Sequence, residues 1–398
     1  MTHSEPEQLL SPFMLLLMTT AIAATAANLY YSQPILPLIA NEFNLSDSQL
    51  GSVPGLTQLG YAFALLFISP LGDSVVRRQL IGILSCVLVF ACGMAVWASN
   101  ITILLIAVFL IGASANITQQ LIPFAASMVP MENKGTTLGT LMMGLTIGIL
   151  LSRTLSGLVG ELLGWRSVFV MSALLAALLG VLLWIFLPVN KPQASLRYWP
   201  LIKSTLSLFC QHKSLQLFTF SGALWFASFN VLWATLAIYV SEAPFDYNAQ
   251  QAGLFGVIAL AGVIGAKVSG KWVNRFGSKT LIKMALVLAA VGFAITGLFA
   301  GNLISLIIGI ILIDFAIFSA QVANQVRVFS IDPTAQSRIN GIYMLGYYLG
   351  GALGSAAGLR VFSLFQWPGV VAISMLFILF SAALNSIAKT KLHSLSTV

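Results

Sequence analysis

The chain has 398 residues, of which 58% are hydrophobic and 8% charged, with a mean hydropathy of +0.95; at about 20 apolar residues per bilayer crossing, this excludes a string of soluble domains and accommodates a dozen crossings with short connections. The formal charge of +8 comes without a basic block interleaved with aromatics, which excludes a nucleic-acid-binding surface. The three histidines, His3, His212 and His393, lie outside the apolar runs, and the three cysteines, Cys86, Cys92 and Cys210, have neither metal spacing nor a disulfide framework, so no intramembrane haem, histidine-metal site or cofactor is expected.

Taken in chain order, apolar segments fall at 13–38, 50–71, 79–98, 101–123, 135–158, 166–187, 215–240, 250–272, 280–300, 302–326, 338–362 and 368–388. These predict twelve membrane helices in an all-α membrane protein. The first carries Ala24-Thr25-Ala26, which mimics a signal-peptidase site, but Glu5 and Glu7 precede it without Lys or Arg, so it reads as an uncleaved helix. Placing both termini on one side gives that side fifteen of the nineteen Lys and Arg, among them Arg77, Arg78, Lys134, Lys271, Arg275, Lys279, Arg327 and Arg338. The positive-inside rule then puts both termini in the cytoplasm and the protein in the cell inner (plasma) membrane.

The longest polar connection, 189–214, divides the chain into six-helix halves, 1–188 and 215–398, joined by a cytoplasmic loop. Offsets near 201 recur between them: Asn28 falls on Asn230, Gly51 on Gly253, Asp73 on Asn274, Arg78 on Lys279, Gln120 on Gln321 and Trp165 on Trp367. Such a repeat predicts two pseudo-symmetric bundles with a substrate site at their interface near the bilayer midplane.

Between the second and third segments the chain reads Ser69-Pro70-Leu71-Gly72-Asp73-Ser74-Val75-Val76-Arg77-Arg78, and the equivalent stretch in the second half reads Gly270-Lys271-Trp272-Val273-Asn274-Arg275-Phe276-Gly277-Ser278-Lys279. Both resemble the helix 2–3 signature of the major facilitator superfamily, Gly-x-Leu-Ala-Asp-Arg-x-Gly-Arg-Arg. Helix 1 also resembles a bacterial subgroup of efflux carriers with Asn-Leu-Tyr-Tyr-x-Gln-Pro, here Asn28 to Pro34. The resemblance implies the major facilitator fold and a conformational latch built from Asp73, Arg77, Arg78, Asn274, Arg275 and Lys279. Two positions depart from the family: its helix 4 Arg falls at Val108, and its helix 5 antiporter pattern is replaced by Ser152-Arg153-Thr154-Leu155-Ser156-Gly157.

An ionisable side chain inside the bilayer is costly and is read first as functional. Asp314 lies twelve residues beyond Asn302, about 18 Å of helical rise and close to the midplane. With Gln321 and Gln325 it forms a polar stripe, and it is the candidate proton-coupling acid; a neutral Asp bonded between helices is the plainer reading. For Arg153, a little over a turn from the predicted outer end of helix 5, the alternatives are pairing with Asp314, binding an anionic substrate or snorkelling outward. Neutral candidates for a substrate cavity are Asn28, Tyr31 and Gln33 on helix 1, Gln119 and Gln120 on helix 4, and Trp225, Asn230 and Trp233 on helix 7. On helix 11, Gly346, Gly350, Gly354 and Gly358 read as a close-packing ridge beside the cavity candidates Tyr343 and Tyr347, with Tyr348 directed elsewhere.

These readings predict a non-enzymatic carrier working by alternating access, exporting small amphipathic organic compounds in exchange for protons. Uptake of a neutral metabolite by symport or uniport, and a non-transporting sensor or scaffold with the same fold, are the alternatives. The expected partners are a small-molecule substrate, the proton and the lipid bilayer, with a monomeric assembly and no nucleic acid.

Overall fold

The computed structural model describes residues 10–189, 198–332 and 336–387. Nine described helices are long and apolar enough to cross a membrane; that spanning Arg338–Ile387 bends and crosses twice, and the shorter apolar helices Pro12–Ala27 and Ser52–Phe67 complete the twelve expected crossings. In chain order the helices are α1 (Pro12–Ala27), α2 (Leu36–Phe43), α3 (Asp47–Leu50), α4 (Ser52–Phe67), α5 (Leu71–Ser74), α6 (Arg77–Val96), α7 (Ile101–Ser114), α8 (Ile117–Ser127), α9 (Met131–Leu163), α10 (Trp165–Phe186), α11 (Tyr198–Gln211), α12 (Lys213–Ser241), α13 (Ala249–Ile258), α14 (Ala261–Phe276), α15 (Ser278–Leu298), α16 (Leu303–Phe329) and α17 (Gln336–Ile387). The end of the bundle where α1 begins is called the near end below, and the opposite one the far end.

Several crossings differ from their predicted form. The first breaks over Asn28–Ile35, because Pro34 and Pro37 lack the N–H that would continue the helix and crowd the preceding turn. Shorter turn bonds take over there, with the amides of Leu29, Tyr30 and Gln33 donating to the carbonyls of Ala26, Ala27 and Tyr30. The predicted connecting loop is largely helix α11. Its Tyr198 hydroxyl donates to the Phe67 carbonyl of the first half at 2.6 Å, while Ser204 accepts a bond from Arg338 of the second, so α11 straps the two halves together. Arg327, counted above among the loop charges, is 2% exposed in the last turn of α16. Its guanidinium lies 3.8 Å from the Phe218 ring and donates to Asn385.

The duplication extends to the packing. A side chain added at Gly148 would collide with the backbone of Ala23, and one at Gly350 with the backbone of Ala223; one at Gly144 would strike Thr19, and one at Gly346 would strike Thr219. The helix 11 ridge therefore seats α17 on α12 as α9 seats on α1, the small-residue packing that brings membrane helices together. Asn28 and Asn230 each donate to the carbonyl four residues back, Ala24 and Phe226, at 2.9 Å. Arg78 donates to the Leu187 carbonyl after α10 and Lys279 to the Ser386 carbonyl at the end of α17, so each half neutralises the negative end of its last helix with a cation.

At the far end Glu42 accepts from Arg166 at 2.5 Å and from the Trp165 indole at 2.7 Å, while Arg166 also donates to the Val96 and Ala98 carbonyls at the end of α6. The Arg166 partner holds the Glu42 carboxyl below its ordinary range. A depressed carboxylate stabilises the fold above its unfolded value and loses that contribution as pH falls through the folded one. Both side chains are partly exposed, so the contribution is at most about 1 kcal/mol. Purified wild type should therefore lose a small increment of thermal stability between about pH 5 and pH 3 that Glu42→Gln lacks, while other carboxylates move both proteins together; an identical acid profile would refute the contribution.

Gly164 turns the chain between the fifth and sixth crossings at φ 84°, ψ 153°, and its repeat partner Gln366 turns it between the eleventh and twelfth at φ 53°, ψ −155°. That region suits glycine and costs another residue about 1–3 kcal/mol. Gln366→Gly should raise the melting temperature, by roughly 1 kcal/mol of stability after the extra chain entropy is offset; a drop would show that the Gln366 side chain outweighs the backbone.

Candidate functional site

Where the halves meet at the far end, the contact is built on glycine. The α9–α13 seam places Gly157 against Ala249 and Gly253, and Gly256 against Leu150 and Arg153. The Thr154 hydroxyl donates across it to the Gly253 carbonyl at 2.9 Å. On the other flank, a Cβ at Gly51 would stand 3.2 Å from the Ala356 Cα and the Ser355 carbonyl of α17. Gly51 and Gly253 were paired as repeat positions in the sequence, and both prove to be seal residues.

Beneath this seal lies the charged centre. Helix α9 runs to Leu163, so Arg153 stands ten residues from its far end rather than just over one turn, about 15 Å down the axis. Asp314 stands eleven residues from the far-end start of α16, at the same depth. Arg153 is 1% exposed and Asp314 0%, so Arg153 does not snorkel; it points into the bundle. Its Nε donates to Gln33 Oε1 at 2.8 Å and its Nη1 to the Ile149 carbonyl at 3.3 Å. Its guanidinium carbon lies 3.9 Å from the Trp233 ring centroid, with Tyr30 at 4.8 Å and Phe229 at 5.8 Å. The Trp233 indole N–H donates to Asp314 Oδ1 at 3.2 Å.

Trp233 thus meets a cation from the first half on its face and an anion from the second half at its edge. The negative face and positive edge of an aromatic ring suit both partners. The charges attract each other without a direct ion pair. Removing either partner from a buried pair leaves the other uncompensated, at a cost of about 3–5 kcal/mol.

The other predicted site residues divide into groups. Gln33 and Trp233 belong to the charged centre. Asn28 is held by Ser172, whose hydroxyl donates to Asn28 Oδ1 at 2.5 Å, and Tyr31 is 2% exposed on the same broken segment. Gln120 lies under Gly72 and donates to Asn116 Oδ1 at 3.1 Å, bracing the turn after α4. Gln119 donates to the Tyr61 hydroxyl at 2.8 Å. Trp225 and Asn230 are fully buried in α12. Tyr343 donates to Gln321 Oε1 at 2.5 Å, which keeps Gln321 engaged with α17 away from Asp314. Tyr347 stacks on Phe226 with centroids 3.8 Å apart.

Tyr348 points away from the face of Tyr343 and Tyr347, as the sequence has it, and toward the first half. It is 6% exposed and packs against Tyr61 of the first half with centroids 4.4 Å apart, so it faces the interface between the halves. Of the latch residues, Arg77 donates to the Gly72 carbonyl at 2.9 Å, Arg78 lies 5.0 Å from the Trp184 ring, and Arg275 is exposed beside Phe276. With Lys279 on Ser386, each has its described partner within its own half. The side chains of Asp73 and Asn274 lie outside the described residues. Among the described residues no cluster could hold a metal ion.

A family model described as Major Facilitator Superfamily matches residues 16–355. The "Uncharacterized transporter YgaY" of Escherichia coli O157:H7 is 36% identical over 369 residues, covering 92% of this chain and 93% of its own. The "Probable transporter SCO4007" of Streptomyces coelicolor is 32% identical over 362 residues, covering 90% and 83%. Among solved structures, a bacterial homolog of the human lysosomal transporter Spinster, inward-facing and occupied, superposes with a TM-score of 0.79 at 15% identity, covering 97% of each chain. A D323A mutant of the nucleoside transporter NupG superposes with a TM-score of 0.78 at 15% identity, covering 94% of this chain and 100% of that one. At these identities the two structures show a shared fold.

Closure at the far end is open to chemical test. With a protease site in the connection between the halves, Gly51→Cys combined with Ala356→Cys should keep the two fragments together on a non-reducing gel after mild oxidation. Neither single variant should do so, and fragments that separate in the double variant would mean that the far end is open in the resting protein.

Proposed function

Because the chain belongs to the major facilitator superfamily, a family of membrane transporters, we propose that it is a proton-coupled exporter of small amphipathic organic compounds in the cell inner membrane. The distribution of Lys and Arg supports placing both termini in the cytoplasm, which makes the near end cytoplasmic and the closed far end external. The protein is then shut on its external side, and we read it as working as a monomer.

One observation carries the proposal: Arg153 and Asp314, one from each half, are buried at a common depth and joined through Trp233 directly under the seal. Separating the halves at the far end draws the two charges apart, so that opening is costly while both are charged and otherwise unpartnered. A proton on Asp314 removes one of them. Protonation from the outside and release to the cytoplasm then bias the two access states in opposite directions, the differential stabilisation that coupling requires. The aromatic surroundings, Tyr30, Phe229 and Trp233, suit a flat, largely apolar solute.

Everted vesicles test this. With the interior made acid, vesicles carrying the wild type should accumulate substrate identified by growth rescue. Asp314→Asn, whose amide cannot carry the exchanged proton, should lose accumulation above the external concentration while keeping gradient-independent exchange of labelled for unlabelled substrate. Undiminished accumulation by Asp314→Asn would remove Asp314 from coupling, and uptake driven in the opposite direction would replace export by symport.

A further inference from the structure

The charged centre contains polar atoms that the protein itself does not satisfy. Arg153 Nη2, Gln33 Nε2 and Asp314 Oδ2 are all buried without a hydrogen-bond partner. They belong to side chains already joined to one another: the Gln33 amide accepts from Arg153, and the other Asp314 oxygen accepts from Trp233. Native proteins seldom leave buried polar atoms unmatched, and a group of them at one place calls for an explanation. Two are donors beside the cation, and one is an acceptor on the anion. The described ion pair of the chain, Arg166 with Glu42, lies at the far end and takes no part.

Resting on the transporter reading above, we infer that the substrate is a zwitterion: a flat, partly apolar molecule whose anionic group binds Arg153 and Gln33 and whose ammonium group binds Asp314. Charge balance decides between this and a singly charged solute. The centre is neutral as a whole, and a neutral zwitterion keeps it neutral while supplying a counter-charge to each side chain. A lone cation satisfies Asp314 and leaves Arg153 with one more positive charge nearby; a lone anion does the reverse, and an uncompensated charge in a dry site is strongly disfavoured. Trp233 fills the space between the charged side chains, and an aromatic or similarly flat substrate body would stack on its ring once the halves part. Because a proton and an ammonium group compete for the same carboxylate, exchange of one for the other follows from the site itself.

Binding to the purified full-length protein, followed by thermal shift and intrinsic fluorescence, tests the substrate class with three probes of matched shape. These are para-(aminomethyl)benzoate as the zwitterion, its methyl ester as the cation and para-methylbenzoate as the anion. The wild type should bind the zwitterion on the order of a hundredfold tighter than either singly charged probe. Arg153→Gln should reverse the order in favour of the cation, and Asp314→Asn in favour of the anion. Arg153→Lys and Asp314→Glu, which keep the charges, should retain the zwitterion preference and so exclude a folding artefact. Equal binding of the three probes, binding of none, or a cation preference already present in the wild type would overturn the inference. The transport reading is judged separately: proton-driven flux with the wrong charge preference refutes only the zwitterion, and zwitterion binding without flux in reconstituted vesicles refutes only the carrier.

Discussion

Two opposite charges with an indole between them, buried at one depth and contributed by different halves of the molecule, form the constraint on which the interface depends. A guanidinium and a carboxylate in a nonaqueous interior need each other, and among the described residues each finds its opposite charge in the other. Trp233 lets the attraction operate at a distance, its face toward Arg153 and its N–H toward Asp314. The geometry differs from a direct salt bridge in one respect that matters: each charged group keeps an unsatisfied polar atom and remains able to engage a third party. A closed ion pair would have consumed that capacity.

The surrounding frame is built to hold this centre without specifying much else. Within each half, glycines let equivalent helices approach to backbone contact, Gly148 on Ala23 and Gly350 on Ala223, so each bundle has a stiff pair of helices behind the site. Between the halves the seam also relies on glycine, and two described hydrogen bonds cross its α9–α13 flank, from the Thr154 hydroxyl to the Gly253 carbonyl and from the Ala249 amide to the Glu161 carboxylate. Close packing across small residues yields dispersion energy in proportion to area and imposes no preference for one chemical state. Stiff halves joined by a seam of small residues with few hydrogen bonds are what rigid-body rocking requires.

How much of this was legible in the sequence follows from the physics of each signal. Apolar length, the sidedness of Lys and Arg, and the repeat offset are sums over many residues, and they predicted the twelve crossings, the division into halves and the depth of Asp314. Arg153 was misplaced because the sequence pattern ended the fifth crossing near residue 158, whereas Leu162 and Leu163 extend the helix to the Gly164 turn and place the cation five residues deeper. Helix α11 was hidden in a polar connection because it is amphipathic, with Ile202, Thr205 and Leu208 buried on one side and a solvated face opposite. For Tyr348, position around the helix told that it leaves the face of Tyr343 and Tyr347, but its partner, Tyr61, is fixed only when the halves dock. The Trp233–Asp314 bond, spanning 81 residues, has no local signal at all.

The glycine seam and the charged centre divide the cost of opening between them. Parting Gly157 from Gly253, or Gly51 from Ala356, sacrifices dispersion contacts that lipid or water partly replaces. Parting Arg153 from Asp314 sacrifices an attraction that neither replaces well until the cavity is wet. On the proposed function, the conditional part of the opening cost is mainly electrostatic and resides in Arg153 and Asp314, while the rest is spread over the glycine seam and its hydrogen bonds from Thr154 and to Glu161. Anything that alters the charge on Asp314, or meets both charges at once, changes the conditional part alone and leaves the seam able to close again. A direct consequence is that the tightness of the seam and the responsiveness of the centre can vary independently: larger side chains at the seam shift the balance of states for every ligand, whereas changes at Arg153, Trp233 or Asp314 alter which ligand shifts it.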